Sequence, residues 1–140
     1  MKIYCDGATT KVCFIPEGCR PFVYYLRHKK TNNEGEYTAV LYALLWAKTQ
    51  REKQVEILSD SELIVKQLAG EYALKNPRLR DLAQQVWHAA QNMTVSYRWI
   101  PREENPAGKV SMSAGSAGTR RFGAPNPWSY PSRMVHPGPV

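Results

Sequence analysis

The sequence predicts an α/β domain built on a mixed five-stranded sheet, its first three strands antiparallel and its helices packed on the sheet. Two observations predict it. Three strand-like runs with turn signals between them occupy residues 1–26, and from Tyr37 the apolar period changes to that of a helix. From there helical and strand patterns alternate, which places later strands in the same sheet by parallel crossovers.

The first strand is Lys2-Ile3-Tyr4-Cys5, closed by the turn signal Asp6-Gly7. Lys11-Val12-Cys13-Phe14-Ile15 is the second, and Pro16-Glu17-Gly18 turns again. Phe22-Val23-Tyr24-Tyr25-Leu26, rich in β-branched and aromatic residues, is the third. Tyr37, Val40, Leu41, Leu44 and Leu45 then recur on one face of a helix, and Asn33 with Glu36 three positions on has the pattern of a capping box. Val55, Ile57 and Leu58 form the fourth strand, and Ser59-Asp60-Ser61 offers caps for a second helix carrying Leu63, Ile64 and Leu68 and leaving through Gly70. Pro77 opens a third helix with Leu79, Leu82, Ala83, Val86, Trp87 and Ala90 on one face. Val95, Tyr97 and Trp99 alternate with polar residues in a half-buried fifth strand that Pro101 ends.

Composition narrows the function classes. The 140 residues hold 43% apolar and 22% charged side chains, a globular balance with room for one core. No apolar run is long enough to span a bilayer, and no apolar stretch at the N-terminus suggests a signal peptide. Cys5, Cys13 and Cys19 are odd in number and lack metal-site spacing, so the expectation is a reduced, cytoplasmic protein without a disulfide framework or zinc site. The net charge of +7 is unevenly spread. Residues 1–108 carry 15 Lys and Arg against all 12 acids, whereas residues 109–140 carry Lys109, Arg120, Arg121 and Arg133 and no acid. The division expected is a domain over 1–109 and a Ser/Gly/Pro-rich, weakly structured tail over 110–140.

Three acids stand out by position: Asp6 ends the first strand, Asp60 ends the fourth, and Glu36 lies in the first turn of the first helix. If those strands are parallel neighbours, their carboxyl ends line one crevice and bring Asp6 beside Asp60, with Glu36 leaning in from the helix above. Hard oxygen ligands without His or Cys suit Mg²⁺ or Mn²⁺. Each acid also fits a plainer role, Asp6 in a turn, Glu36 in the capping box and Asp60 as an N-cap.

The flanking residues resemble those of the type 1 ribonuclease H family. The matching pieces are Tyr4-Cys5-Asp6-Gly7-Ala8, Thr31-Asn32-Asn33-Glu34-Gly35-Glu36-Tyr37-Thr38-Ala39, Ser59-Asp60-Ser61, Gln67-Leu68-Ala69-Gly70-Glu71-Tyr72, Lys75-Asn76-Pro77-Arg78-Leu79 and Trp99-Ile100-Pro101-Arg102-Glu103-Glu104-Asn105. They keep the family's order over roughly residues 1–109. The resemblance implies an endonuclease that cuts the RNA strand of RNA–DNA hybrids with two divalent ions. It implies that Asp6 bridges the ions and that Glu36 and Asp60 hold the one near the leaving group. It further implies hybrid contacts from Asn32 and Asn33, help from Ser61, and selection of RNA through its 2′-hydroxyls. A monomer without an obligate protein partner is expected.

The chain departs from that family in three places. The fourth acid, expected at the start of the last helix, falls on Asn105, Gly108 or Lys109, and no Asp follows Asp81. Of these Asn105 has a usable oxygen and is expected as the fourth catalytic and metal-binding residue; Glu103 and Glu104 are alternatives, and Asn105 also fits an N-cap ahead of Pro106. The loop before it has Arg102, a candidate phosphate contact, where many members have a His. The turn after the first strand is cut to Ala8-Thr9-Thr10 and the basic protrusion after the second helix is absent, leaving Lys29, Lys30, Arg78 and Arg80 as phosphate contacts. These departures keep two other functions open: a hybrid-binding module of weakened catalysis, and another nuclease on the same fold.

Overall fold

The computed structural model describes residues 1–112; the tail expectation for 113–140 lies outside the described residues. The elements are β1 (Lys2–Gly7), β2 (Lys11–Pro16), β3 (Phe22–Tyr25), α1 (Asn32–Thr49), β4 (Gln54–Ser59), α2 (Glu62–Leu68), α3 (Pro77–Ala89), β5 (Thr94–Trp99), a 3₁₀ turn (Arg102–Glu104) and α4 (Pro106–Met112). α4 runs three residues past the boundary expected at 109.

The five strands form one sheet in the order β3-β2-β1-β4-β5. β1, β2 and β3 pair antiparallel, while β4 joins β1, and β5 joins β4, in parallel. This is the mixed sheet the sequence predicts, with β1 and β4 as the neighbours. Their register pairs Cys5 with Ser59, so Asp6 and Asp60 follow as the next residues on adjacent strands.

α1 differs from a helix with one buried face. Tyr37, Ala39, Val40, Leu41, Ala43, Leu44, Leu45, Trp46 and Ala47 are all buried, because the sheet lies on one side and α3 on the other. Tyr37 is fully buried and donates its hydroxyl to Gln67 Oε1 at 2.7 Å, tying α1 to α2 and satisfying the polar end of a core residue. On the opposite sheet face, Cys13, Val23 and Ala107 form a second, small core with Tyr4, Ile15 and Val110 packed against it. That core docks α4 on β1 and β2.

Three local expectations are corrected. The α1 capping box is Thr31 with Glu34, not Asn33 with Glu36: the Thr31 hydroxyl accepts from the Glu34 N–H at 3.1 Å and the Glu34 carboxylate accepts from the Thr31 N–H at 2.8 Å. The helix therefore starts two residues earlier, and Glu36 is released from capping. Trp87 is 40% exposed, its indole N–H donating to the Leu68 carbonyl at 3.1 Å. Leu63 is 38% exposed, because Ser61 caps α2 and the buried face of that short helix is Ile64, Val65, Gln67 and Leu68.

Candidate active site

Two glycines set the position of Glu36. A Cβ at Gly7 would collide with the Gly35 carbonyl, and a Cβ at Gly35 would collide with the Ala8 carbonyl. Only bare backbone lets the end of β1 approach the first turn of α1 this closely. The approach brings the Gly7 N–H to donate to the Glu36 carboxyl.

Asp6, Glu36 and Asp60 consequently converge, each offering an oxygen within 4.8 Å of the others. Asp6 is buried, and Glu36 and Asp60 are partly so. Burial and the neighbouring Asp6 and Asp60 push the Glu36 carboxyl up to about 9, with the Gly7 N–H and Arg102 pulling it back. The donor set, hard oxygens without His or Cys, fits Mg²⁺ or Mn²⁺.

Asn105 is fully buried beside this cluster. Its amide nitrogen donates to the Cys5 carbonyl at 2.9 Å and to Asp60 Oδ2 at 3.0 Å. Its oxygen, expected toward the cation, accepts from the Ala107 N–H at 3.1 Å, the geometry of a cap on α4. Two acceptors on one side and a donor on the other fix which way the amide points. Gly108 on α4 also faces the carboxylates: a Cβ there would stand 3.5 Å from Asp60 Oδ2 and 4.0 Å from Asp6 Cγ. Lys109, Glu103 and Glu104 are exposed, and neither Glu joins the carboxylate cluster.

The comparisons with known proteins agree with this geometry. A family model described as reverse transcriptase-like matches residues 6–111, from the first carboxylate to the last turn of α4. The chain belongs to the reverse transcriptase-like family.

Among relatives of this reverse transcriptase-like chain, the bifunctional protein Rv2228c of Mycobacterium tuberculosis is 33% identical over 78 residues, covering 55% of this chain and 21% of that protein. The chain thus matches about a fifth of the length of that relative. The solved N-terminal ribonuclease H domain of rv2228c, fused to maltose-binding protein, superposes with a TM-score of 0.65 at 23% identity, covering 77% of this chain and 92% of that one. Ribonuclease H1 of the archaeon Halobacterium salinarum gives 0.67 at 22% identity over 78% and 91%. LC11-ribonuclease H1, isolated from compost and solved with an RNA/DNA hybrid, gives 0.65 at 28% identity over 75% and 88%. The fold is that of ribonuclease H.

The remaining expected site residues lie on α1, at the start of α2 and on the 3₁₀ turn. Asn32 and Asn33 are exposed in the first turn of α1, two and three residues after Lys30. Ser61 is the α2 N-cap, its hydroxyl accepting from the Ile64 N–H at 3.4 Å. Arg102 sits on the 3₁₀ turn with Nη1 3.6 Å from Asp60 Oδ1. Sequence reasoning missed Trp99, whose indole N–H donates to the Asp60 carbonyl at 3.2 Å. Its place at the end of β5, level with Ser59 in register, was the available signal. Of the three positions where the fourth acid could fall, sequence reasoning favours Asn105 over Gly108 because Gly108 offers no side-chain ligand.

Proposed function

We propose that this chain is an endonuclease hydrolysing the RNA strand of RNA–DNA hybrids, with Mg²⁺ or Mn²⁺ held by Asp6, Glu36 and Asp60. The observation that carries the reading is the convergence of those three carboxylates at the ends of parallel β1 and β4 and the first turn of α1. Two ions bound there with the substrate would lower the pKa of an attacking water and neutralise charge on the leaving oxygen.

The protein's own groups hold the reacting phosphate in place. Asp6, near the end of the central strand β1, lies within 4.8 Å of both Glu36 and Asp60 through their carboxylate oxygens. Asn105 positions Asp60 by donating to its Oδ2, and Trp99 anchors the same residue's carbonyl. Asn32, Asn33 and Ser61 supply neutral hydrogen-bonding groups at the rim, suited to sugar and base edges in the wide minor groove of a hybrid. Arg102, Lys29 and Lys30 supply positive charge for phosphates.

A second reading, a hybrid-binding domain of weakened catalysis, draws on Gly108, which offers no carboxylate at a position where a Cβ would stand 3.5 Å from Asp60 Oδ2. Incubation with labelled hybrid, RNA duplex and DNA duplex in Mg²⁺ or Mn²⁺ tests both. The nuclease reading predicts cuts confined to the RNA of the hybrid, ended by chelator. Binding of hybrid without cutting would favour the second reading.

A further inference from the structure

The two oxygens of Asp60 are engaged differently. Oδ2 accepts from the amide of Asn105, which is fully buried and held on its other side by the Ala107 N–H. Oδ1 faces Arg102 Nη1 at 3.6 Å. The Asp60 side chain is only 5% exposed, whereas that of Arg102 is 60% exposed. One partner is therefore built into the fold, and the other reaches in from solvent on a side chain free to leave.

With Nη1 3.6 Å from Asp60 Oδ1, the guanidinium stands where a cation would at a cluster of three carboxylates. Gly108 contributes no fourth carboxylate that could hold an arginine and a second metal ion together.

We propose that Arg102 is a resident counter-ion of this cluster, competing with a divalent cation for Asp60 and moving to a phosphate of bound nucleic acid once the cation holds that carboxylate. The first half concerns the cation alone; the second rests on the nuclease reading.

The competition follows from charge. A divalent ion approaching Asp60 Oδ1 must displace the guanidinium or sit beside a like charge. Displacement costs what an exposed ion pair is worth, so removing the guanidinium should tighten ion binding roughly two- to five-fold at low ionic strength. The gain should fade as salt screens the exposed pair. A freed guanidinium at the rim of the site, with paired donors, matches the geometry of a phosphate.

The test is Mn²⁺ binding to the full chain without nucleic acid, read from the electron paramagnetic resonance signal of free Mn²⁺. Arg102→Gln should bind more tightly than the parent by that factor in low salt, the gap should close near ~0.5 M salt, and Arg102→Lys should behave as the parent. Equal or weaker binding by Arg102→Gln overturns the competition, weaker binding showing that Arg102 merely holds Asp60 in place. For the second half, Arg102→Gln should raise the KM for hybrid by a few fold with a smaller change in kcat. An unchanged KM overturns that step. Failure of the parent to cut hybrid would instead defeat the nuclease reading and leave the Mn²⁺ result standing.

Discussion

The Asn105 amide donates to Asp60 Oδ2 at 3.0 Å across 45 positions of sequence, joining the start of α4 to the end of β4. The same nitrogen donates to the Cys5 carbonyl on β1, so one buried side chain ties together the two strands that carry Asp6 and Asp60.

This geometry separates two substitutions that the sequence alone leaves equivalent. Asn105→Asp replaces a donor by an acceptor facing the Asp60 carboxylate and the Cys5 carbonyl. It should lower metal-free stability by about 1–3 kcal/mol, the cost of unsatisfied buried polar groups, although Asp caps a helix as well as Asn does. Gly108→Asp places its carboxylate beside Asp60 and Asp6, and should tighten divalent-ion binding while lowering metal-free stability. Melting curves in chelator and Mn²⁺ titrations of both variants check this. Tighter binding by Asn105→Asp but not by Gly108→Asp would reverse the assignment.

Gly35→Ala should act on the fold and the site together. The added methyl meets the Ala8 carbonyl, a backbone atom that cannot step aside without moving the end of β1. A loss of about 1–3 kcal/mol is expected from overpacking, accompanied by weaker cation binding because Glu36 is carried away from Asp6. Denaturant unfolding measures the first effect and Mn²⁺ titration the second.

Glu36→Gln should raise the melting point in chelator. The carboxyl of Glu36 is held at about 9 in the folded chain against 4.5 for the free group. The folded state therefore binds more protons than the unfolded state between those values, and stability from this residue falls as pH rises through that window. The advantage of Glu36→Gln should accordingly grow from pH 5 to pH 9, vanishing below pH 4. Asp60→Asn should gain less, because it gives up the ion pair with Arg102. Melting points of the three proteins across that pH range, in chelator, provide the check.

Much of this was legible in the sequence. The change of apolar period at Tyr37 and the turn signals around Asp6 and Pro16 report local backbone preference, which is why strand order and helix order were readable. Asp6 and Asp60 were legible as neighbours because parallel pairing of their strands leaves their carboxyl ends side by side. The α1 cap was misplaced by two residues because both Thr31/Glu34 and Asn33/Glu36 have cap spacing, and only the folded chain shows which pair exchanges hydrogen bonds, Thr31 with Glu34. Trp87 and Leu63 fit helical periodicity, but exposure depends on how far neighbouring elements extend over them. The role of Asn105 was ambiguous for a related reason. A side-chain amide has a donor end and an acceptor end, and sequence does not say which end meets Asp60.

The central claim is that the carboxylates of Asp6, Glu36 and Asp60 together carry hybrid hydrolysis. Asp6→Asn tests it most directly, since Asp6 ends β1 in the middle of the sheet and faces both partners. Single-turnover cleavage of a labelled RNA–DNA hybrid at saturating Mn²⁺ should fall by at least about a thousandfold if Asp6 holds a catalytic ion as proposed, while the far-ultraviolet circular dichroism stays that of the parent. Cleavage at the parental rate by a folded Asp6→Asn protein would contradict the account.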